Sequence, residues 1–130
     1  MAVGLASAVS NALLNALVNQ ANYTAPTAIW IQLHTGDPGS AGTANVATET
    51  TRKDVTSSFS AASGGAVTND VAVTWTSVAG SEDFTHWSLW SASTSGTFYL
   101  SGTVTANAVT AGDTFTLPVG DIDLTLSTAT

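Results

Sequence analysis

The sequence has no cysteine and only two basic residues, Arg52 and Lys53, against nine acidic ones in 130. Without cysteine there are no disulfides and no thiolate metal sites, and nothing reports the redox compartment. One adjacent basic pair at a formal charge of −7 cannot release phosphate counterions on the scale that nucleic-acid binding requires. An anionic membrane surface is excluded on the same ground. Charge of either sign is scarce: 8% of residues are charged, against about a quarter in an ordinary soluble domain. Residues 1–36 and 84–112 contain no Asp, Glu, Lys or Arg at all. Surface charge keeps domains soluble and monomeric, so such stretches imply a surface covered by further copies of the chain or by a larger assembly. Long apolar runs are missing too. The stretch from Ala2 to Val18 lacks a positive flank and is interrupted by Ser7, Ser10, Asn11 and Asn15. It therefore reads neither as a signal peptide nor as a membrane span, and no membrane insertion is expected.

What is present is abundant Thr, Val, Ala, Ser and Gly, a composition that favours strands because branching at Cβ fits a pleated surface. The length suits one domain, 1–130, with a helical part over 1–22 and a β-sandwich over 27–128. From Ala2 to Gln20, Leu5, Val9, Leu13 and Leu17 recur every four residues, widened by Leu14 and Val18, which predicts a helix with that face inward. Opposite runs an uncharged stripe of Ser7, Asn11, Asn15 and Asn19, a candidate protein contact. Pro26 stops the helix.

Beyond it the period drops to two. Ile29, Ile31 and Leu33 alternate with Trp30, Gln32 and His34, a strand with one core face. Gly36-Asp37-Pro38-Gly39 is a turn, and residues 40–51 have the texture of a long surface loop. Residues 52–60 read as a strand with Val55 and Phe59 inward, and Ser63-Gly64-Gly65 as a turn. Val71, Val73 and Trp75 mark another strand. In residues 85–90, Trp87 and Leu89 alternate with His86 and Trp90; neither face is polar, so both are expected to be covered. Residues 98–104, 113–117 and a final segment with Ile122, Leu124 and Leu126 complete the pattern. Seven or eight short strands after one helix imply a mainly β, antiparallel sandwich or small barrel.

Candidate chemistry is thin. His34 near Asp37, and His86 near Glu82 and Asp83, lack the spacing of a metal site, and no cofactor motif occurs. Asp121 and Asp123 fall on the solvent side of an amphipathic strand, where like charges also discourage edge pairing. Trp75 and Trp87 read as core. Trp30 and Trp90 occupy second faces, where a contact between subunits is favoured over a sugar-stacking platform. The candidate interface residues are therefore Asn11, Asn15, Asn19, Trp30, His86 and Trp90, with no catalytic, cofactor or metal residues.

One resemblance runs through nearly the whole chain. Its elements are Leu13-Leu14-Asn15, then residues 29–39 (IWIQLHTGDPG), residues 59–66 (FSAASGGA), Val73-Thr74-Trp75, residues 85–90 (THWSLW), Ala111-Gly112-Asp113-Thr114 and residues 120–126 (GDIDLTL). This order resembles a family of small virion proteins of tailed phages, especially of actinobacteria, often labelled tail-fibre or minor tail proteins. The resemblance implies a non-enzymatic structural protein of the virion, made in the host cytoplasm. Members usually carry a Gly-Tyr-Ala-Arg run before the second strand; here Glu49-Thr50-Thr51-Arg52-Lys53-Asp54 stands in its place, so different contacts are expected from residues 40–54. With no heptads or repeats to build a shaft, the favoured role is decoration: a homotrimer bound to the capsid exterior and stabilising it. The alternatives are a tail-fibre or tail-tip component contacting the host, and a small carbohydrate-binding module.

Overall fold

The computed structural model describes residues 3–130, apart from the side chain of Ala106. It is a small β-sandwich with one N-terminal helix. The helix α1 spans Ser7–Val18, and the strands are β1 (Trp30–His34), β2 (Lys53–Asp54), β3 (Ala66–Thr68), β4 (Val73–Trp75), β5 (Glu82–Trp90), β6 (Phe98–Val109), β7 (Phe115–Leu117) and β8 (Asp123–Thr125). One sheet has the order β2-β1-β5-β6; the other layer consists of the pairs β3-β8 and β4-β7, all antiparallel.

The core lies between the layers. From the four-stranded sheet, Ile31 and Leu33 sit opposite Leu89 and Trp87 in register, all sealed from solvent. Val73, Trp75, Phe115, Leu117 and Ile122 face them from the other layer. Each large apolar side chain buried this way contributes about 1.5–3 kcal/mol. Aromatic rings set the geometry: Phe115 meets Phe84 edge-on at 4.8 Å and Trp75 at 5.9 Å, and the Trp75 indole N–H donates to the Thr51 carbonyl at 2.8 Å. Phe84 and Trp87 both reach the core although three residues apart, because the β5–β6 ladder shifts register between Phe84 and His86, and such a bulge re-aims side chains. Opposite Trp87, position 102 has to be glycine: a Cβ there would sit inside the indole ring.

Beneath the second layer Asn69 acts as a hub. Its amide donates to the Val71 and Pro118 carbonyls, and its side-chain oxygen accepts from Gly120 and Ile122 N–H at 3.1 and 2.9 Å. All four hydrogen-bonding positions of the amide are thereby used, tying the chain between β7 and β8 to the end of β3.

Several elements differ from the sequence-based expectation. The strand expected over 52–60 is only Lys53–Asp54; Val55 is buried as anticipated, but the chain turns at once, with Ser58 N–H on the Val55 carbonyl. β6 runs well past Val104. β1 has two covered faces rather than one, since Gln32 and His34 are as enclosed as Ile31 and Leu33. Nor are residues 40–51 a detached surface loop. They fold back beside β1 through a bridge between Val46 and His34 and a bond from Ala47 N–H to the Leu33 carbonyl, burying Ala47 and Glu49.

Candidate interaction surfaces

Two surfaces answer to the candidate residues: the second face of the four-stranded sheet, and α1. On the sheet, β1 and β5 pair Trp30 with Trp90, Gln32 with Ser88 and His34 with His86, so alternation gathers these six side chains on the face away from the core. The chain covers much of this face itself. The His34 ring reaches the Ala44 carbonyl through Nδ1 at 2.8 Å and the Ser88 hydroxyl through Nε2 at 2.7 Å. A carbonyl only accepts, which assigns the proton to Nδ1 and makes Nε2 the acceptor of the Ser88 O–H. Ser88 Oγ in turn accepts the Trp90 indole N–H at 2.7 Å. The relay is fully satisfied, and burial holds the His34 pKa below its ordinary 6.5. Ser88 and His34 have the adjacency of a nucleophile and a base, but both are completely sealed, so no substrate reaches them and their role is to hold residues 35–51 to the sheet.

Arg52 closes the other end. Its guanidinium lies 4.2 Å over the Trp90 ring, Nε donates to Gln32 Oε1 at 2.9 Å, and Nη1 donates to the Ala92 and Ser95 carbonyls at 2.8 and 2.7 Å. The planar fork and the stack over an aromatic face need arginine rather than lysine. Phe98 flanks Trp90 with ring centroids 5.4 Å apart, and glycine at 42 lets the loop lie directly on Phe98.

The loop is also held by carboxylates. Glu82 accepts Thr48 N–H at 2.9 Å and Glu49 N–H at 3.1 Å, while Glu49 accepts Ala79 and Thr51 N–H, both at 3.2 Å. These are the only glutamates among the nine acids. Nothing in the periodicity or turn pattern of the sequence anticipates this use of Glu49 and Glu82. A long acid side chain inside an otherwise neutral loop was the available signal.

The candidate interface residues therefore part company. Trp90 is 6% exposed, and the cover sought for it on another subunit is supplied by Arg52 and Phe98 of its own chain. Trp30 and His86 are half-buried, His86 with Nδ1 at 2.8 Å from the Thr85 hydroxyl. The two tryptophans do not form an open platform of the kind a sugar ring stacks on. Neither histidine meets the acids near it in sequence to make a metal site; among the described residues no group of three or more His, Asp or Glu could hold an ion. Asp121 and Asp123 are exposed.

Asn11 and Asn15 are exposed on α1 and Asn19 is exposed just past its end, with Asn19 Nδ2 donating to Asn15 Oδ1 at 2.8 Å. The helix itself departs from expectation. It begins at Ser7, its expected start at Ala2 lies outside the described residues, and residues 4–6 instead run beside β6, with Ala6 N–H on the Tyr99 carbonyl and Ser101 N–H on the Gly4 carbonyl. No residue of α1 is buried. Val9, Leu13 and Ala16 are half-covered, but Leu14, Leu17 and Val18 are 59%, 74% and 63% exposed, so Leu17 leaves the face it was expected to share with Val9 and Leu13. Between the helix and the sandwich remains an apolar groove of about 500 Å³ lined by Leu5, Leu13, Val67, Leu100, Leu124 and Leu126 among others. No described helix is long and apolar enough to cross a membrane.

Compared with known proteins, residues 4–125 match the model of a protein family described as podophage GP4 fiber I protein gp80. No curated protein sequence matches the chain significantly.

Proposed function

The chain belongs to the family of the podophage GP4 fiber I protein gp80, a family of phage virion structural proteins, and from that premise we propose that it is a compact subunit of a virion fibre that assembles with copies of itself. The observation that carries this reading is the family match across residues 4–125, nearly the whole sandwich together with α1. The build of the molecule suits a base or tip better than a shaft. A helix of 12 residues is only about 18 Å long, and short strands separated by turns supply no reach.

The compact build also favours a second reading, a decoration protein on the capsid exterior, which needs many modest contacts rather than length. Binding only the assembled lattice, such a protein would stabilise the shell by mass action. The family's fibre name weighs towards the first reading. The reaching end of a fibre contacts the host and its base contacts other virion proteins, so the partners of this subunit are virion proteins and, at a tip, the host surface.

Immunogold labelling of purified virions separates the two, combined with copy number from quantitative mass spectrometry. Gold confined to fibres, with far fewer copies than capsid subunits, is the expected result. Gold spread over the heads, with copies comparable in number to capsid subunits, overturns the fibre reading in favour of decoration.

A further inference from the structure

We propose that α1 is the self-association element of this protein, packing its outward face against α1 of a second copy. The proposal rests on the reading above that the chain assembles with itself, and it names the surface responsible. Four observations carry it.

The helix has little support in the single chain, where Val9, Leu13 and Ala16 are only half-covered. It has no buried residue, no side-chain N-cap, no acid in its first turn and no base in its last. A helix this short is marginal in water unless an apolar face is packed. The outward face has the geometry of a helix contact: Ser7, Asn11, Leu14 and Val18 are spaced four, three and four apart and are all exposed, with Leu17 beside them. That spacing keeps one stripe in line on a helix and is the one by which helices interlock in left-handed pairs and bundles.

The stripe is also wholly neutral, in a segment without charge from residue 1 to residue 36. A charged partner would have to bury an unpaired charge against it, which is strongly unfavourable. An anionic lipid surface finds no Lys or Arg to attract it. The matching surface, equally neutral and of the same length, is another α1. Finally, Asn11 lies within the stripe. In the proposed parallel pair of α1 helices, Asn11 faces its own equivalent and Leu14 faces Leu14. A lone asparagine at such a position can hydrogen-bond across the pair and selects register and partner at some cost in stability.

The test uses the full chain in solution, with molar mass from light scattering coupled to size-exclusion chromatography and the near-ultraviolet signal of buried Trp75 and Trp87 as a check on the sandwich. Wild type is expected to run at a whole multiple of the single chain. Leu14→Glu and Leu14→Lys are each expected to run as single chains with the tryptophan signal unchanged, and their equimolar mixture to regain the multiple. Leu14→Ala introduces no charge and is expected to weaken association by at least about tenfold, a readout that remains should a charged variant fail to fold.

If Leu14→Glu remains associated, copies meet through another surface; α1 then loses its assigned role while self-assembly stands. If the mixture stays dissociated, the helices do not face each other and the proposal falls. If wild type is a single chain at high concentration, both this proposal and the self-assembly reading fall, including where α1 binds only vesicles or a different virion protein.

Discussion

Replacing Ser88 with alanine removes one oxygen that two enclosed groups share. In the folded chain Ser88 Oγ donates to His34 Nε2 and accepts from Trp90 Nε1, both at 2.7 Å. Alanine fits the space, so the cost comes from the polar atoms left behind rather than from a cavity. His34 Nε2 loses its donor and the Trp90 N–H its acceptor, at residues 0% and 6% exposed. A sealed group stripped of its hydrogen bond costs about 1–3 kcal/mol, which gives an expected loss of about 2–6 kcal/mol for the pair. Equilibrium urea unfolding followed by tryptophan fluorescence measures this directly, the midpoint moving while the slope stays constant. Thr74→Ala, at the exposed hydroxyl pair with Thr116, is the matched control and should fall within about 0.5 kcal/mol of wild type. Adding Trp90→Phe to Ser88→Ala removes one stranded donor, so the double variant should lose less than the sum of the two single variants, with a coupling of about 1 kcal/mol or more. A loss below about 1 kcal/mol for Ser88→Ala, or strict additivity in the cycle, would refute the picture of a closed relay, because water would then be replacing the missing oxygen.

The same relay gives the protein a pH dependence with a definite sign. His34 stays neutral in the fold, its pKa lowered mainly by burial, with His86 and Arg52 pushing the same way against the bonds to Ala44 and Asn45. Below the ordinary value of 6.5 the unfolded chain therefore takes up a proton that the folded chain refuses. Stability should fall as pH drops through that value, by up to about 1.4 kcal/mol per pH unit, and level off once the folded His34 also titrates. His34→Gln should flatten unfolding free energies measured between pH 5 and 7, and an unchanged slope assigns the effect to another group. Arg52→Lys keeps the charge but loses the fork that spans Gln32, Ala92 and Ser95; the expected result is a loss of about 1–3 kcal/mol and faster limited proteolysis at residues 91–97, and wild-type behaviour in both assays would show the charge alone to be sufficient.

Much of the sandwich is legible in the sequence because its inward residues alternate. Trp75 and Trp87 fall on core faces by period alone, and the neutral character of both sides of residues 85–90 correctly implies that both are covered. What covers them is not legible. Residues 40–51 read as a surface loop because Gly, Ala, Thr and Asn carry no periodic signal, and the bonds that bring them onto β1 join residues far apart in sequence: Arg52 with Ala92 and Ser95, Glu82 with Thr48. The charge-free strand around Trp90 suggests a contact between subunits, and the sequence does not reveal that Arg52 and Phe98 of the same chain lie against the ring. For α1 the sequence shows the helix but not which side is packed. Leu5, Leu13, Leu14 and Leu17 are equivalent as hydrophobes, and the choice between them follows from residues 4–6, which are bridged to β6 and set where the helix leaves the sheet.

That bridged segment also determines how α1 is tethered. The helix is attached at both ends: residues 4–6 hold its start to β6 through the bonds joining Ala6 to Tyr99 and Ser101 to Gly4, and residues 19–29 join its end covalently to β1. The start of the helix cannot leave the sheet without breaking both bonds. Because β6 is held to β5 along the most extensive ladder in the molecule, α1 takes its position from the four-stranded sheet rather than from the apolar layer behind it.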